Sequence, residues 1–160
     1  KKFTFDGKFN DRKMKLPQYQ LKAEKSLMVF DFISEGPKGQ IPKLVKFSET
    51  NLKGLFNLAF GDKDRHTGEI NDTVISNNGD SEKVLATVVA TLYAFTDKHP
   101  DTYVLATGST KARTRLYRMG ITKYFNEIQK DYHIYGLRND EWEDFEKEIE
   151  YEAFLAKRKK

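Results

Sequence analysis

Near residue 77 the spacing of apolar side chains changes, and that change limits the fold more than any other feature. Before it, apolar and aromatic residues come in short runs broken by turn residues, as in LMVFDFIS (27–34) and GLFNLAFGD (54–62). After NNGD (77–80), Val84, Leu85, Val88, Leu92 and Phe95 recur at helical spacing. A chain with both periods cannot be all-helical or all-β. It must join a sheet to helices.

The first half reads as a meander. LMVFDFIS (27–34) and QIPKLVKFS (40–48) flank EGPKG (35–39), whose glycines and proline suit a turn, so they form a hairpin. GLFNLAFGD (54–62) is a third strand and INDTVIS (70–76) a fourth, with a polar loop between them. YQLKA (19–23) makes a short first strand, and residues 1–17 are expected to be loosely ordered.

The second half alternates. A helix starts at Asp80 or Ser81, either of which can cap it, and stops before Pro100. TYVLAT (102–107) is a buried strand. A second helix spans 110–130, with Ala112, Leu116, Tyr117, Met119, Ile121, Tyr124, Phe125 and Ile128 facing inward. YHIYGL (132–137) is a strand. EWEDFEKEI reads as a short helical turn, with Trp142, Phe145 and Ile149 on one face. IEYEAFLAK (149–157) alternates as a closing strand, and 156–160 form a basic tail. A strand–helix–strand unit implies a parallel crossover. The expected fold is one α/β (α+β) domain, a mixed, mostly antiparallel sheet with two main helices covering its faces.

Composition excludes several classes. The 160 residues suffice for one domain with a real core. There is no cysteine, so disulfides, thiolate metal sites and a Cys nucleophile are ruled out. No apolar run approaches the ~20 residues of a membrane span, and KKFTFDGKF lacks the apolar core of a signal peptide. A cytoplasmic protein is expected. The three histidines, His66, His99 and His133, lack metal-ligand spacing, and neither HExxH nor GxSxG occurs. DKDRHTGEIND (62–72) fails the calcium-loop pattern, because Gly68 comes one position late. No metal site is expected.

The net charge of +4 is mild, but it is unevenly distributed. Residues 139–152 carry eight acids against Lys147, and the chain ends in KRKK. The acidic run could dock a basic partner or that tail, or be a solvated face.

The stretch YVLATGSTKARTRLYRMGI (103–121) carries the strongest functional signal. Gly108 permits a tight turn, and Ser109 or Thr110 can cap the following helix. Lys111, Arg113, Arg115 and Arg118 follow with no acid before Glu127. Lys111, Arg115 and Arg118 form one stripe, with Arg113 to its side. First-turn N–H groups of Lys111 and its neighbours could meet a phosphate held by Arg113 or Arg115. A capped helix with an ordinary basic face fits the same residues. The leading expectation is a binding module for an anionic partner: a nucleotide, a nucleic acid or an acidic protein. It calls for no cofactor.

Two resemblances add to this. The phrases SEGPKGQI, NLAFGD, SNNGDSEKVLATV, ATGSTKARTRLYRMGI and YEAFLAKRK look like a family of proteins of unknown function from Bacteroidetes, over roughly 27–158. That resemblance implies a bacterial, cytoplasmic protein. The order of elements is also similar to the GCN5-related N-acetyltransferase fold. Ala112, Leu116, Tyr117 and Ile121 sit like that family's second-helix phrase. The resemblance implies acetyl-CoA as cofactor, Tyr117 as the acid for the departing thiolate, and Glu69 or Asp72 as base. That family's glycine-rich pyrophosphate loop is replaced here by SNNGDSEKV, which lacks a second glycine and a basic residue. A third alternative is a toxin–antitoxin or phage-defence component working through protein contacts at 139–152 and the tail.

Overall fold

The structure is a computed structural model, and it describes residues 2–5 (backbone), 17–71 and 76–160. Among these residues a nine-stranded mixed sheet carries two helices. The strands are β1 (Lys2–Phe5), β2 (Leu21–Glu24), β3 (Val29–Gly36), β4 (Gly39–Glu49), β5 (Leu55–Asp62), β6 (Tyr103–Ala106), β7 (Tyr132–Arg138), β8 (Glu141–Asp144) and β9 (Ala153–Arg158). The helices are α1 (Ser81–Lys98) and α2 (Lys111–Asp131). The spatial order is β1-β2-β3-β4-β5-β6-β9-β7-β8. The single α+β domain read from the periodicity is what forms.

The meander β1 to β5 is antiparallel throughout. After β5 the chain crosses through α1 and returns parallel in β6, as a strand–helix–strand unit requires. β9 then inserts antiparallel between β6 and β7. That insertion ties the end of the chain into the middle of the sheet.

Both helices lie on one face, where an expectation of covered faces plural must be corrected. Phe95 of α1 stacks on Phe47 of β4 at 4.3 Å, and Tyr117 of α2 meets Phe60 of β5 edge-on at 6.2 Å. Phe47 and Phe60 share a face, since Phe47 pairs with Leu58 and Val45 with Phe60. At the other end Tyr93 of α1 packs against Tyr132 of β7. The main core among the described residues is this interlayer space, because the strands bury alternate residues toward the helices.

Other corrections are local. Residues 2–5 pair with 21–24 as β1, although 1–17 read as loose; residues 6–16 lie outside the described residues. Of the fourth strand at 70–76, the structure shows one bridge, Lys63 to Ile70, and residues 72–75 lie outside the described residues. EWED is strand β8, not a helical turn. Asn139 and Asp140, with φ of 52° and 61°, form a tight turn that folds it back on β7. Two successive positive φ values match the twist of a two-residue hairpin. The closing strand begins at Ala153 rather than 149. On α2, Ala112 and Met119 face outward, whereas Arg113 and Gly120 take inward positions.

Candidate functional site

A cleft of about 480 Å³ opens where β6 hands over to α2. Thr110 is the helix N-cap, and its hydroxyl accepts from the Arg113 N–H at 3.2 Å. Gly108 lets the loop lie on the first turn. A Cβ there would stand 2.4 Å from the Arg113 Cβ, and the Gly108 N–H donates to Thr114 Oγ1 at 3.0 Å. The glycine is therefore required by close approach.

The two walls of the cleft differ in charge. Lys111, Arg115 and Arg118 line one side with Ser109 and Thr110, and no acid occupies the first turn of α2. Glu150 and Glu152 line the other side, both exposed. Thr107 joins the walls by donating to the Glu152 carbonyl at 3.2 Å. Tyr151 between the two glutamates is buried, and its hydroxyl donates to Glu143 at 3.0 Å. Burial, with the Glu143 carboxylate beside it, raises the Tyr151 phenol above its usual pKa. The Arg138 guanidinium, hydrogen-bonded to Glu143, holds that carboxyl below the usual range.

Arg113 is not part of this cleft, which corrects its pairing with Arg115. It is only 6% exposed. Its guanidinium donates to the Phe60 carbonyl at 2.8 Å and the Asn71 carbonyl at 2.6 Å. β5 and β6 are paired only from Leu55 to Leu58, so the β5 backbone beyond Leu58 is open on that edge. Arg113 closes it. The fit is tight: a Cβ on Gly61 would lie 2.5 Å from the Arg113 Nη1. The spacing 113–117–120–124–128 held a signal for this, because those positions are the buried stripe of α2.

Of the residues assigned by the acetyltransferase resemblance, Tyr117 and Glu69 do not come together. Tyr117 is buried and its hydroxyl donates to the Leu58 carbonyl at 3.4 Å. It also lines a small apolar cavity between the helices. Glu69 lies in the exposed 63–71 loop, 3.6 Å from Lys46. Lys46 alternates with Val45 and Phe47, so it stands on the face opposite the helices. Tyr117 and Glu69 are thus on opposite sides of the sheet. Asp72 lies outside the described residues.

A second polar centre escaped the sequence reading. Lys43 and Asp62 are cross-strand neighbours at the end of the core face, both buried, and form an ion pair that also takes the Ser76 hydroxyl. Next to it, Asp80 accepts from the Tyr19 and Ser34 hydroxyls, each at 2.5 Å. Asp80 is the α1 N-cap by position, but its side chain makes no cap bond. Asn78, 2% exposed, donates to Ser34 and to the Gly39 carbonyl and accepts from the Lys38 N–H. These bonds pin the 76–80 segment onto the sheet. Strict alternation was the available signal: 43, 45 and 47 share a face, as do 58, 60 and 62.

The tail is satisfied within the chain. Arg158 pairs with Asp97 at 2.7 Å and Lys160 with Asp101 at 3.7 Å, neither within 139–152. Among the described residues no group of His, Asp or Glu gathers to hold a metal. None of the described helices is long and apolar enough to cross a membrane.

The fold and cleft define a two-layer α+β domain with a two-signed polar cleft at a helix start. The chain belongs to the DUF6934 family, a family of unknown function, whose match covers residues 15–159. Neither the curated proteins nor the solved structures give a match.

Proposed function

We propose that this protein is a binding module for a small phosphate-bearing ligand, a nucleotide in size and character, seated in the cleft at the start of α2. The observation that carries this is the charge of the two walls. Lys111, Arg115 and Arg118 offer three cations above helix N–H groups, an arrangement that suits a phosphate. Glu150 and Glu152 opposite suit hydroxyl or amino donors at the other end of the same molecule. A nucleic-acid strand or an acidic protein would carry repeated negative charge past those carboxylates, so a compact ligand is favoured. The close phrase resemblance supports a bacterial cytoplasmic setting, in Bacteroidetes.

The test is isothermal titration of the protein with ATP, AMP, inorganic phosphate and a single-stranded oligonucleotide. The expected result is saturable nucleotide binding that falls at least tenfold in Arg115→Ala/Arg118→Ala. Melting of that variant should stay unchanged. Absence of saturable binding by any nucleotide refutes the reading. Oligonucleotide binding with a steep salt dependence would replace it by nucleic-acid recognition.

An acyl-CoA-dependent transfer is the weaker reading. It rests on the KARTRLYRMGI resemblance, and it needs Tyr117 to leave its buried bond and to act with a base other than Glu69. A rise in melting temperature with excess acetyl-CoA would revive it.

A further inference from the structure

With both helices on one side, none of the described helices or strands forms a layer over the opposite face of β6, β9, β7 and β8. Alternation places Tyr103, Leu105, Leu155, Tyr135, Leu137 and Trp142 there. The pairings join them into one patch: Leu105 opposes Leu155, Leu155 opposes Tyr135, and Leu137 opposes Trp142. None of the six belongs to the helix-side core. Tyr103 is 42% exposed and Trp142 44%. A bare apolar patch of this kind marks an interaction surface.

We infer that this face packs against the same face of a second copy of the chain. One observation favours that occupant: the patch is self-complementary in charge. Lys157, which lies 5.7 Å from the Tyr103 ring, marks one margin, and Asp144, opposite Tyr135, marks another. A two-fold axis in the plane of the contact sets Lys157 of one copy against Asp144 of the other, as a symmetric interface requires. Sheets pair face to face in this manner about 10 Å apart. The patch measures about 19 Å across four strands and about 17 Å along them. That is small for a specific interface, so the dimer is a micromolar one.

Sedimentation velocity of the full chain from 1 to 500 µM tests this. A concentration-dependent shift from monomer to dimer is expected. Leu155→Glu should hold the protein monomeric with an unchanged far-ultraviolet spectrum. If Leu155→Glu fails to fold, charge reversal at the margins decides instead. Lys157→Asp or Asp144→Lys alone should weaken association at least fivefold, and the two together should restore it. A wild-type monomer at 500 µM overturns the inference. So does a dimer indifferent to these changes, or a monomer that binds an oligonucleotide on this face.

Discussion

Truncating Arg113 separates a structural arginine from the cleft arginines on the same helix. The guanidinium supplies two charge-assisted bonds, to the carbonyls of Phe60 and Asn71, from a position 6% exposed. Bonds of that type contribute about 1.5–3 kcal/mol each. In Arg113→Ala both carbonyls lose a donor, and water entering the gap beside β5 recovers part of the loss. A net cost of about 3 kcal/mol is expected. For a chain of this size each kcal/mol moves the melting midpoint by about 2–4 °C, so the midpoint should fall by about 6–12 °C. Arg113→Lys should fall between, because an ammonium cannot span two acceptors as a planar fork does. Arg115→Ala, at an exposed position, should move it by less than about 2 °C. Thermal melts followed by circular dichroism, with urea unfolding for the free energies, give all three numbers. If Arg113→Ala melts within about 2 °C of the wild type, the account of Arg113 as the closure of the β5 edge is wrong.

Two further outcomes follow from the polar groups. Lys43→Ala leaves Asp62 charged in a buried place and should cost about 3–5 kcal/mol by urea unfolding, whereas Lys43→Met with Asp62→Leu should recover most of that. A double variant no better than the single one would show that the pair matters for more than its charge balance. Glu143 has a depressed pKa in the fold, so its stabilisation is present above the ordinary carboxylate range and is lost as pH falls through the folded value. The melting advantage of the wild type over Glu143→Gln should thus be seen at neutral pH and vanish in acid, and a Glu143 titration midpoint at or above the ordinary value, read by NMR, rejects the assigned Arg138 contact.

Much of the fold was legible because periodicity is a local property. Val84 to Phe95 can bury one stripe only as a helix, and 27–34, 40–48 and 54–62 can bury one face only as strands. A cap at Ser109 or Thr110 and the tight turn at Gly108 were legible for the same reason, since a cap uses its neighbours, and the structure selects Thr110. β8 was misread because EWEDFEKEI has a helical stripe of its own, and the Asn139–Asp140 turn that overrides it works through pairing with β7.

The sequence alone determined the class: two periods, a mixed sheet, and a helix start rich in cations. Tertiary structure decided what each charge does. Arg113 is a cation by sequence, but the open edge of β5 turns it inward, while Arg115, two residues on and rotated by about 200°, remains at the cleft. Glu150 and Glu152 are distant in sequence from Lys111, and only the return of the chain into β9 makes them the facing wall. Which face of the sheet the helices leave uncovered was equally beyond local pattern, because it depends on both crossovers placing their helices on one side. Local spacing states what a segment can bury, and only the assembled fold supplies the surface against which it is buried.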